Sequence, residues 1–109
     1  MVNSAAALVT GAGTRLGSIL ARHLATLGYD LALHCNSSLQ GARQLARDIE
    51  HMGRQCEVFV QDFTEPFDTD DFISRVARRF PHLDCIINNA SAYEAANALD
   101  THRALLETQ

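Results

Sequence analysis

The sequence predicts an α/β fold in which helices cover both faces of a doubly wound parallel sheet with strand order 3-2-1-4. Short apolar runs rich in β-forming residues alternate with longer segments of helical periodicity, and the connections between them are short. Uninterrupted apolar strands are typical of parallel sheets that are buried on both faces. Right-handed crossovers between successive strands then give the stated strand order. We expect the 109 residues to form one domain over residues 1–109.

The first half of the chain supplies two strands and the helix between them. Residues 5–10 and residues 30–35 are apolar runs that predict buried strands. A helix is predicted over residues 16–27, and Gly28 ends it. The residues that predict this helix recur at helical spacing: Leu16, Ile19, Leu20, His23, Leu24 and Leu27.

A second helix is predicted to begin after Ser37 or Ser38, either of which can cap it, and to end at Gly53. Its predicted inner face holds four apolar residues: Ala42, Leu45, Ala46 and Ile49.

The second half of the chain continues the alternation. Residues 56–61 predict the third strand and residues 84–88 the fourth. A third helix is predicted over residues 68–80, because acidic residues at its start and arginines at its end suit the helix dipole. Residues 95–106 can form a further helix, although Thr101 and His102 interrupt its apolar face.

Composition and charge exclude several classes of function. A net charge of −4 argues against a nucleic-acid-binding face, and no apolar run is long enough to span a membrane. The first four residues lack the basic start of a secretory signal. The cysteines, Cys35, Cys56 and Cys85, are odd in number and form no CxxC pair, so we expect buried thiols in a cytoplasmic protein. The five histidines lack metal-ligand spacing, so we expect no metal site.

The sharpest functional signal is the segment Thr10-Gly11-Ala12-Gly13-Thr14-Arg15-Leu16-Gly17, between the first strand and the first helix. Its glycines allow a tight turn and let backbone amides approach a pyrophosphate. The start of the helix adds free N–H groups and a partial positive charge. Gly17 lets the helix pack closely on the sheet. The segment therefore predicts a dinucleotide phosphate site, with a purely structural turn as the alternative.

Arg15 is the unusual member of this segment. A cation in the first turn of a helix opposes the helix dipole, and a bound anion relieves that conflict. We therefore predict that Arg15 contacts a phosphate, the alternative being an ordinary solvent-exposed arginine.

The end of the second strand reads His34-Cys35-Asn36-Ser37-Ser38. Folds specific for NAD usually place an acidic residue here, which binds the adenosine ribose. No carboxylate is present to repel a 2′-phosphate, and serine hydroxyls and helix amides can donate to it. The segment favours NADPH over NADH, and this preference can lean on Arg15. For His34, a structural role at the strand end is the alternative to ligand binding.

These residues resemble the short-chain dehydrogenase/reductase family, whose fold is Rossmann-like. Thr10, Gly11 and Gly17 match its motif Thr-Gly-x-x-x-Gly-x-Gly, and Arg15 replaces the middle glycine. That replacement and residues 33–38 are similar to the pteridine reductase and dihydromonapterin reductase branch, although an arginine often found near Ser37 is missing. The resemblance covers residues 5–93, so it implies only the N-terminal, cofactor-binding half of a family member.

The resemblance also implies roles for residues after the third and fourth strands. Asp62-Phe63 matches the family's Asp after the third strand, which implies a hydrogen bond from the adenine amino group to Asp62. Asn88-Asn89-Ala90-Ser91 matches the family's Asn-Asn-Ala-Gly, which places Asn89 and Ala90 along the riboses and Ser91 near the nicotinamide. Tyr93 falls where the branch carries a residue that stacks on the pterin. The implied substrate contacts are Arg15, Ser91 and Tyr93.

The family's catalytic residues are not found in this chain. Family chemistry uses a Tyr-x-x-x-Lys pair and a serine, but the chain contains no lysine, and Tyr93 is followed four places later by Asn97. The leading hypothesis is therefore the NADPH-binding portion of a reductase for a pterin-like substrate, inactive alone, with the catalytic half truncated or outside this chain. The alternatives are a non-catalytic dinucleotide-binding module and a remnant that binds nothing. Residues 85–87 would lie on an open edge, so we also expect a homo-oligomer.

Overall fold

The predicted alternation of strands and helices is present throughout the computed structural model, which describes residues 5–89. The elements in chain order are β1 (Ala6–Val9), α1 (Arg15–Thr26), β2 (Asp30–Cys35), α2 (Leu39–His51), β3 (Cys56–Val60), α3 (Thr69–Arg79) and β4 (Leu83–Ile87). The strands are parallel and lie in the order β3-β2-β1-β4. The predicted fold class and strand order are confirmed. The helix predicted over residues 95–106 lies outside the described residues.

The two central strands are buried because helices cover both faces of the sheet. Every residue of β1 and β2 is buried. One face packs against α1 and α2, with Leu31, Leu33 and Ile49 in its core. The other face packs against α3 and holds a group of aromatic side chains, among them Phe59 and Phe72. This layering brings the carboxyl ends of β1 and β2 to the same edge of the sheet as the starts of α1 and α2.

The helix α1 presents small residues to the sheet. Its buried residues are Gly17, Ala21 and Ala25, whereas Leu16 and Ile19 are 58% and 54% exposed. The predicted helix is confirmed, but the apolar repeat that predicted it does not mark the buried face. At its start, the backbone of α1 lies so close to the glycine turn that a Cβ on Gly17 would stand 2.2 Å from the Gly11 carbonyl oxygen.

The helix α2 buries the face that its periodicity predicts, and α3 carries the predicted acidic residues at its start and arginines at its end. In α2 the buried residues are Ala42, Leu45, Ala46 and Ile49. The carboxylate of Asp68 caps α3 by accepting a hydrogen bond from the amide of Asp71 at 3.0 Å. Arg78 and Arg79 lie in the last turn of α3, which suits its dipole.

Among the described strands, β4 pairs only with β1. Its side chains are mostly half-buried, with Cys85 and Ile87 toward the α1–α2 side and Leu83 and Ile86 toward α3. Cys35 and Cys56 are buried as predicted, whereas Cys85 is only half-buried because it lies on this outer strand. Over residues 5–89, no helix combines the length and the hydrophobicity that crossing a bilayer requires.

Candidate functional site

The glycine-rich segment forms the turn between β1 and α1, as the sequence predicts. Gly11 has a φ of 64°, and its carbonyl accepts hydrogen bonds from the amide and the hydroxyl of Thr14 at 3.1 and 2.8 Å. The Thr14 hydroxyl in turn caps α1 by accepting from the amide of Gly17 at 3.1 Å. These bonds close the turn without any ligand.

Three amides of this turn are left for a ligand. The amides of Gly11 and Ala12 donate to His34, and that of Ser18 donates to the carbonyl of Thr14. Over residues 5–89, no hydrogen bond within the protein engages the amides of Gly13, Arg15 and Leu16. Free amides at a glycine turn and at the start of a helix form a site suited to a phosphate group.

Two glycines of the turn stand where a side chain would collide with backbone. A Cβ on Gly17 would lie 2.2 Å from the carbonyl oxygen of Gly11 and 2.9 Å from the side-chain nitrogen of Asn89. A Cβ on Gly13 would lie 2.7 Å from the carbonyl oxygen of Ser38 and 2.4 Å from its Cβ. The turn is therefore packed tightly against α1 on one side and against the start of α2 on the other.

A cavity of about 200 Å³ lies between the glycine turn and the end of β2. Its lining brings together seven of the predicted cofactor-binding residues, with Cys35 in addition: Gly11, Gly13, Thr14, His34, Asn36, Ser37 and Ser38. Arg15 and Leu16 are exposed in the first turn of α1, outside this lining. Gly17 is buried beneath the turn.

The position of Ser38 agrees with the predicted helix cap, but its side chain does not act as one. Ser38 is the N-cap residue of α2, with φ −89° and ψ 48°, and its hydroxyl makes no capping hydrogen bond. The prediction that Ser37 or Ser38 caps α2 is therefore confirmed for the position and wrong for the hydrogen bond. The backbone angle at Ser38 differs from the extended conformation found at the caps of α1 and α3. Ser38 lines the cavity.

The cavity carries no negative charge of its own. None of its lining residues is acidic. Burial raises the pKa of the Cys35 thiol, and the positive charge of Arg43 on α2 partly offsets that rise. Among residues 5–89, neither Arg15 nor Arg43 makes an ion pair, whereas Arg22, Arg75 and Arg79 are paired with carboxylates. Two guanidinium groups are thus available near an uncharged, hydroxyl-rich cavity.

His34 is buried at 1% exposure and joins two backbone segments. Its Nδ1 lies 3.0 Å from the amide nitrogen of Gly11, and its Nε2 lies 2.7 Å from the carbonyl oxygen of Gln61. The ring stacks on Phe63, with centroids 4.0 Å apart and planes 3° from parallel. Phe63 is itself only 2% exposed, so its ring supports His34 from within the core.

Asp62 follows the end of β3, in the predicted position. Its carboxylate accepts hydrogen bonds from the hydroxyl and the amide of Thr64, at 2.6 and 2.9 Å. These two bonds hold the pKa of Asp62 below its usual range. The side chain is therefore ionised near neutral pH and kept in a fixed orientation by Thr64.

Asn89 ties the end of β4 to the glycine turn. Its amide donates to the hydroxyl of Thr10 at 2.7 Å, and its side chain donates to the carbonyl of Gly11 at 3.4 Å and to the hydroxyl of Thr14 at 3.3 Å. The Thr10 hydroxyl also donates to the side chain of Asn88 at 3.0 Å. The Asn-Asn pair therefore buttresses the turn. Three other predicted residues, Ala90, Ser91 and Tyr93, lie outside the described residues.

Three residues of the site were not among the predicted ones, and each had some signal in the sequence. Thr10 opens the glycine motif, and its fully buried hydroxyl links β1 to Asn88 and Asn89. Cys35 is the last residue of β2 and lines the cavity beside the predicted His34 and Asn36. Arg43 lies more than one turn into α2, so only the packing of α2 on β2 brings its charge near Cys35.

The parallel sheet, with a glycine turn between its first strand and first helix, defines a Rossmann-like α/β protein. The chain belongs to the short-chain dehydrogenase family, since the family model described as "short chain dehydrogenase" matches residues 5–108. The resemblance to this family that the motifs imply is confirmed.

Curated relatives agree with this assignment. The hydroxynaphthalene reductase arp2 of Aspergillus fumigatus is 32% identical over 84 residues, which are 77% of this chain and 31% of that protein. The short-chain dehydrogenase/reductase homolog YusS of Bacillus subtilis is 31% identical over 85 residues, which are 78% of each chain. The chain thus spans about a third of the length of the fungal relative.

Solved structures show the same architecture. The acetoin dehydrogenase of Enterobacter cloacae matches 84% of this chain and 36% of its own, with 32% identity and a TM-score of 0.78. A short chain dehydrogenase of Burkholderia cenocepacia in complex with NADP matches 79% and 35%, with 34% identity and a TM-score of 0.74. FolM alternative dihydrofolate reductase 1 of Brucella canis, complexed with NADP, matches 80% and 35%, with 30% identity and a TM-score of 0.72.

Proposed function

We propose that this chain is the NADPH-binding portion of a short-chain oxidoreductase. The observation that carries the proposal is the set of free amides at Gly13, Arg15 and Leu16, beside a cavity that no carboxylate lines. These donors suit the diphosphate of a dinucleotide, and the start of α1 adds the positive end of its dipole. Two similar solved structures are complexes with NADP, which supports the choice of ligand.

The preference for NADPH over NADH follows from the end of β2. The hydroxyls of Ser37 and Ser38 and the amides at the start of α2 can donate to a 2′-phosphate, and no acidic residue repels it. The cation for this phosphate is Arg43, whose charge already acts on Cys35 in the cavity wall. Arg15 lies on the α1 side of the turn and serves the diphosphate instead. Arg43 would thereby provide the positive charge that residues 36–38 lack.

The other predicted contacts keep their roles in this proposal. Asp62 accepts a hydrogen bond from the adenine amino group, while Asn89 and Ala90 follow the riboses and Ser91 lies near the nicotinamide. When bound, the cofactor supplies a hydride at its nicotinamide ring. Arg15, Ser91 and Tyr93 would contact the substrate, which we propose to be pterin-like. The similarity to a protein named alternative dihydrofolate reductase supports that substrate class.

The proton-transferring residues of the whole enzyme are proposed to lie in a part not included in this chain. The chain has no lysine, so the family's Tyr-x-x-x-Lys pair is not within it. Residues 1–109 accordingly act as one cofactor-binding domain of a cytoplasmic protein. The outer edge of β4 would pair with the rest of the sheet or with a second copy, and sedimentation of the isolated chain distinguishes the two.

Calorimetric titration of the chain with NADPH and with NADH tests the proposed function. We expect micromolar binding of NADPH and binding of NADH weaker by about tenfold or more, since a charged hydrogen bond is worth about 1.5–3 kcal/mol. Arg43→Gln should remove most of that difference, whereas Arg78→Gln, which alters an exposed arginine at the far end of α3, should not. Equal affinity for the two cofactors would contradict the NADPH preference, and no binding of either would overturn the proposal.

A second candidate is a non-catalytic dinucleotide-binding module. The segment matched with YusS covers 78% of that protein and 78% of this chain, so that relative is about as long as this chain. A module binds NADPH equally well, but it has no need of a catalytic partner. Adding a separately produced C-terminal half from a full-length relative would restore turnover under the first proposal and not under the second.

A further inference from the structure

One buried imidazole connects the two sides of the proposed cofactor site. His34 faces the phosphate turn through Nδ1 and the Gln61 carbonyl through Nε2. Asp62, the proposed adenine contact, directly follows Gln61. The ring therefore bridges the turn proposed to hold the diphosphate and the segment proposed to hold the adenine.

The two partners determine the protonation state of the ring. The Gly11 amide can only donate, so Nδ1 must accept and carry no proton. The Gln61 carbonyl can only accept, so Nε2 must carry the proton. The ring is thus neutral with its hydrogen on Nε2. A second proton would point from Nδ1 at the Gly11 N–H, so it would break that bond and leave the bond to Gln61 intact.

The surroundings hold the ring in this orientation. Phe63 stacks on one face at 4.0 Å, and Phe72 meets the ring edge-on at 5.9 Å. Within residues 5–89, the neighbouring segments carry the charged groups Asp62, which Thr64 engages, and the Asp71–Arg75 pair on α3, with Arg75 5.6 Å from the centre of the Phe72 ring. No ionisable side chain stands in the glycine turn before Arg15, and Arg43 approaches the neighbouring Cys35 from α2.

We propose that His34 is a positioning residue that fixes the phosphate turn to the Gln61–Phe63 segment and releases the turn when the ring is protonated. The inference rests on the proposed NADPH binding. In the sequence, the position of His34 at the end of a buried strand, between an apolar run and a polar turn, indicates this role. Because the Gly11 carbonyl anchors Thr14, loss of the Gly11 amide bond loosens the turn, although the Ala12 amide and the Asn89 side chain still hold it to the sheet. Diphosphate binding then weakens while the sheet stays folded.

The test compares the pH dependence of NADPH binding in the wild-type chain and in His34→Asn. The asparagine oxygen can replace Nδ1 as the acceptor for Gly11, but it does not take up a proton. Between about pH 8 and about pH 5.5, wild-type affinity should fall about tenfold further than that of His34→Asn. Titration of the 2′-phosphate itself contributes equally to both. His34→Phe keeps the stacked ring but lacks the acceptor, so its affinity should be about tenfold lower than wild type at pH 8.

The outcomes separate this inference from the proposed function. No binding of NADPH by the wild-type chain at pH 8 refutes the proposed function. Wild-type binding with the same pH profile as His34→Asn refutes the role of His34 alone. If either variant unfolds, ¹⁵N spectra of the wild-type chain decide. We expect a neutral ring protonated on Nε2 and a Gly11 amide signal that moves with the ring's titration. A proton on Nδ1 at neutral pH, or a Gly11 signal that ignores the titration, overturns the proposal.

Discussion

Replacing Gly17 by alanine tests the tight packing of α1 on the phosphate turn. Alanine gains about 1 kcal/mol over glycine in a helix interior. At this position, however, the added Cβ would lie 2.2 Å from the Gly11 carbonyl oxygen and 2.9 Å from both the Cα of Ala12 and the side chain of Asn89. Two of these neighbours are backbone atoms of the glycine turn, so the start of α1 must move away from that turn. Overpacking of this kind costs about 1–3 kcal/mol.

We expect a net loss of up to about 2 kcal/mol in the free energy of unfolding, which lowers Tm by about 4–8 °C per kcal/mol for a domain of this size. NADPH affinity should fall at least about tenfold, because the shift misplaces the amides of Arg15 and Leu16. Gly41→Ala is the matched control. Gly41 also lies in the first turn of a helix, but its added Cβ meets only the Gly13 carbonyl oxygen at 3.4 Å.

The control variant should gain up to about 1 kcal/mol and keep its NADPH affinity. Chemical denaturation and calorimetry measure both quantities on both variants. If Gly17→Ala proved as stable as Gly41→Ala and bound NADPH normally, the close contact between α1 and the turn would not constrain the site, and the reasoning would fail.

The remaining predictions concern a helix cap and two thiols. Asp68→Ala should lower the free energy of unfolding by about 1 kcal/mol, because it removes the cap of α3. The control Asp70→Ala alters an exposed residue and should change the free energy of unfolding by less than about 0.5 kcal/mol. Equal urea midpoints for the two variants would contradict this prediction. Burial raises the pKa of Cys56 from 9.0 to about 12. The free energy of unfolding should therefore decrease as the pH rises through this interval, by at most about 1.4 kcal/mol per pH unit. Cys56→Ala should make this decrease smaller. NADPH should slow the alkylation of Cys35, which lines the cavity, and should leave the alkylation rate of Cys85 unchanged. Equal protection of both thiols would indicate a general stabilisation of the fold instead.

Local sequence signals predicted the strands and helices well, because each depends on features that act over a few residues. The strand order then followed from the rule that crossovers between parallel strands are right-handed. The glycine turn, the acidic start of α3 and the apolar strands all indicated their own positions. The buried face of α1 was not predictable in this way. Hydrophobicity favours Leu16 and Ile19 as core residues, but the buried residues of α1 are the small ones, Gly17, Ala21 and Ala25.

The site was predictable to the extent that its residues are contiguous. The turn and the end of β2 appear as motifs, and the structure brings them together around one cavity. The contacts that depend on tertiary packing left weaker signals. His34 showed its place at a strand end but not its two partners, which are 23 and 27 residues away. Arg43 gave no motif at all, because its relation to Cys35 arises from the docking of α2 on the sheet.

The most direct test of the account is a map of backbone amide shifts in ¹H–¹⁵N spectra as NADPH is added. If the turn and the two helix starts hold the cofactor, the largest changes should fall on Gly13, Arg15, Leu16 and Ser38. The amide signals of residues at the amino ends of the strands, such as Asp30 and His82, should not shift. These two residues pair with each other at 2.9 Å. The claim that the turn and the two helix starts hold the cofactor would be contradicted if saturating NADPH left these four amide signals unchanged. It would also be contradicted if NADPH shifted the signals at the amino ends of the strands instead.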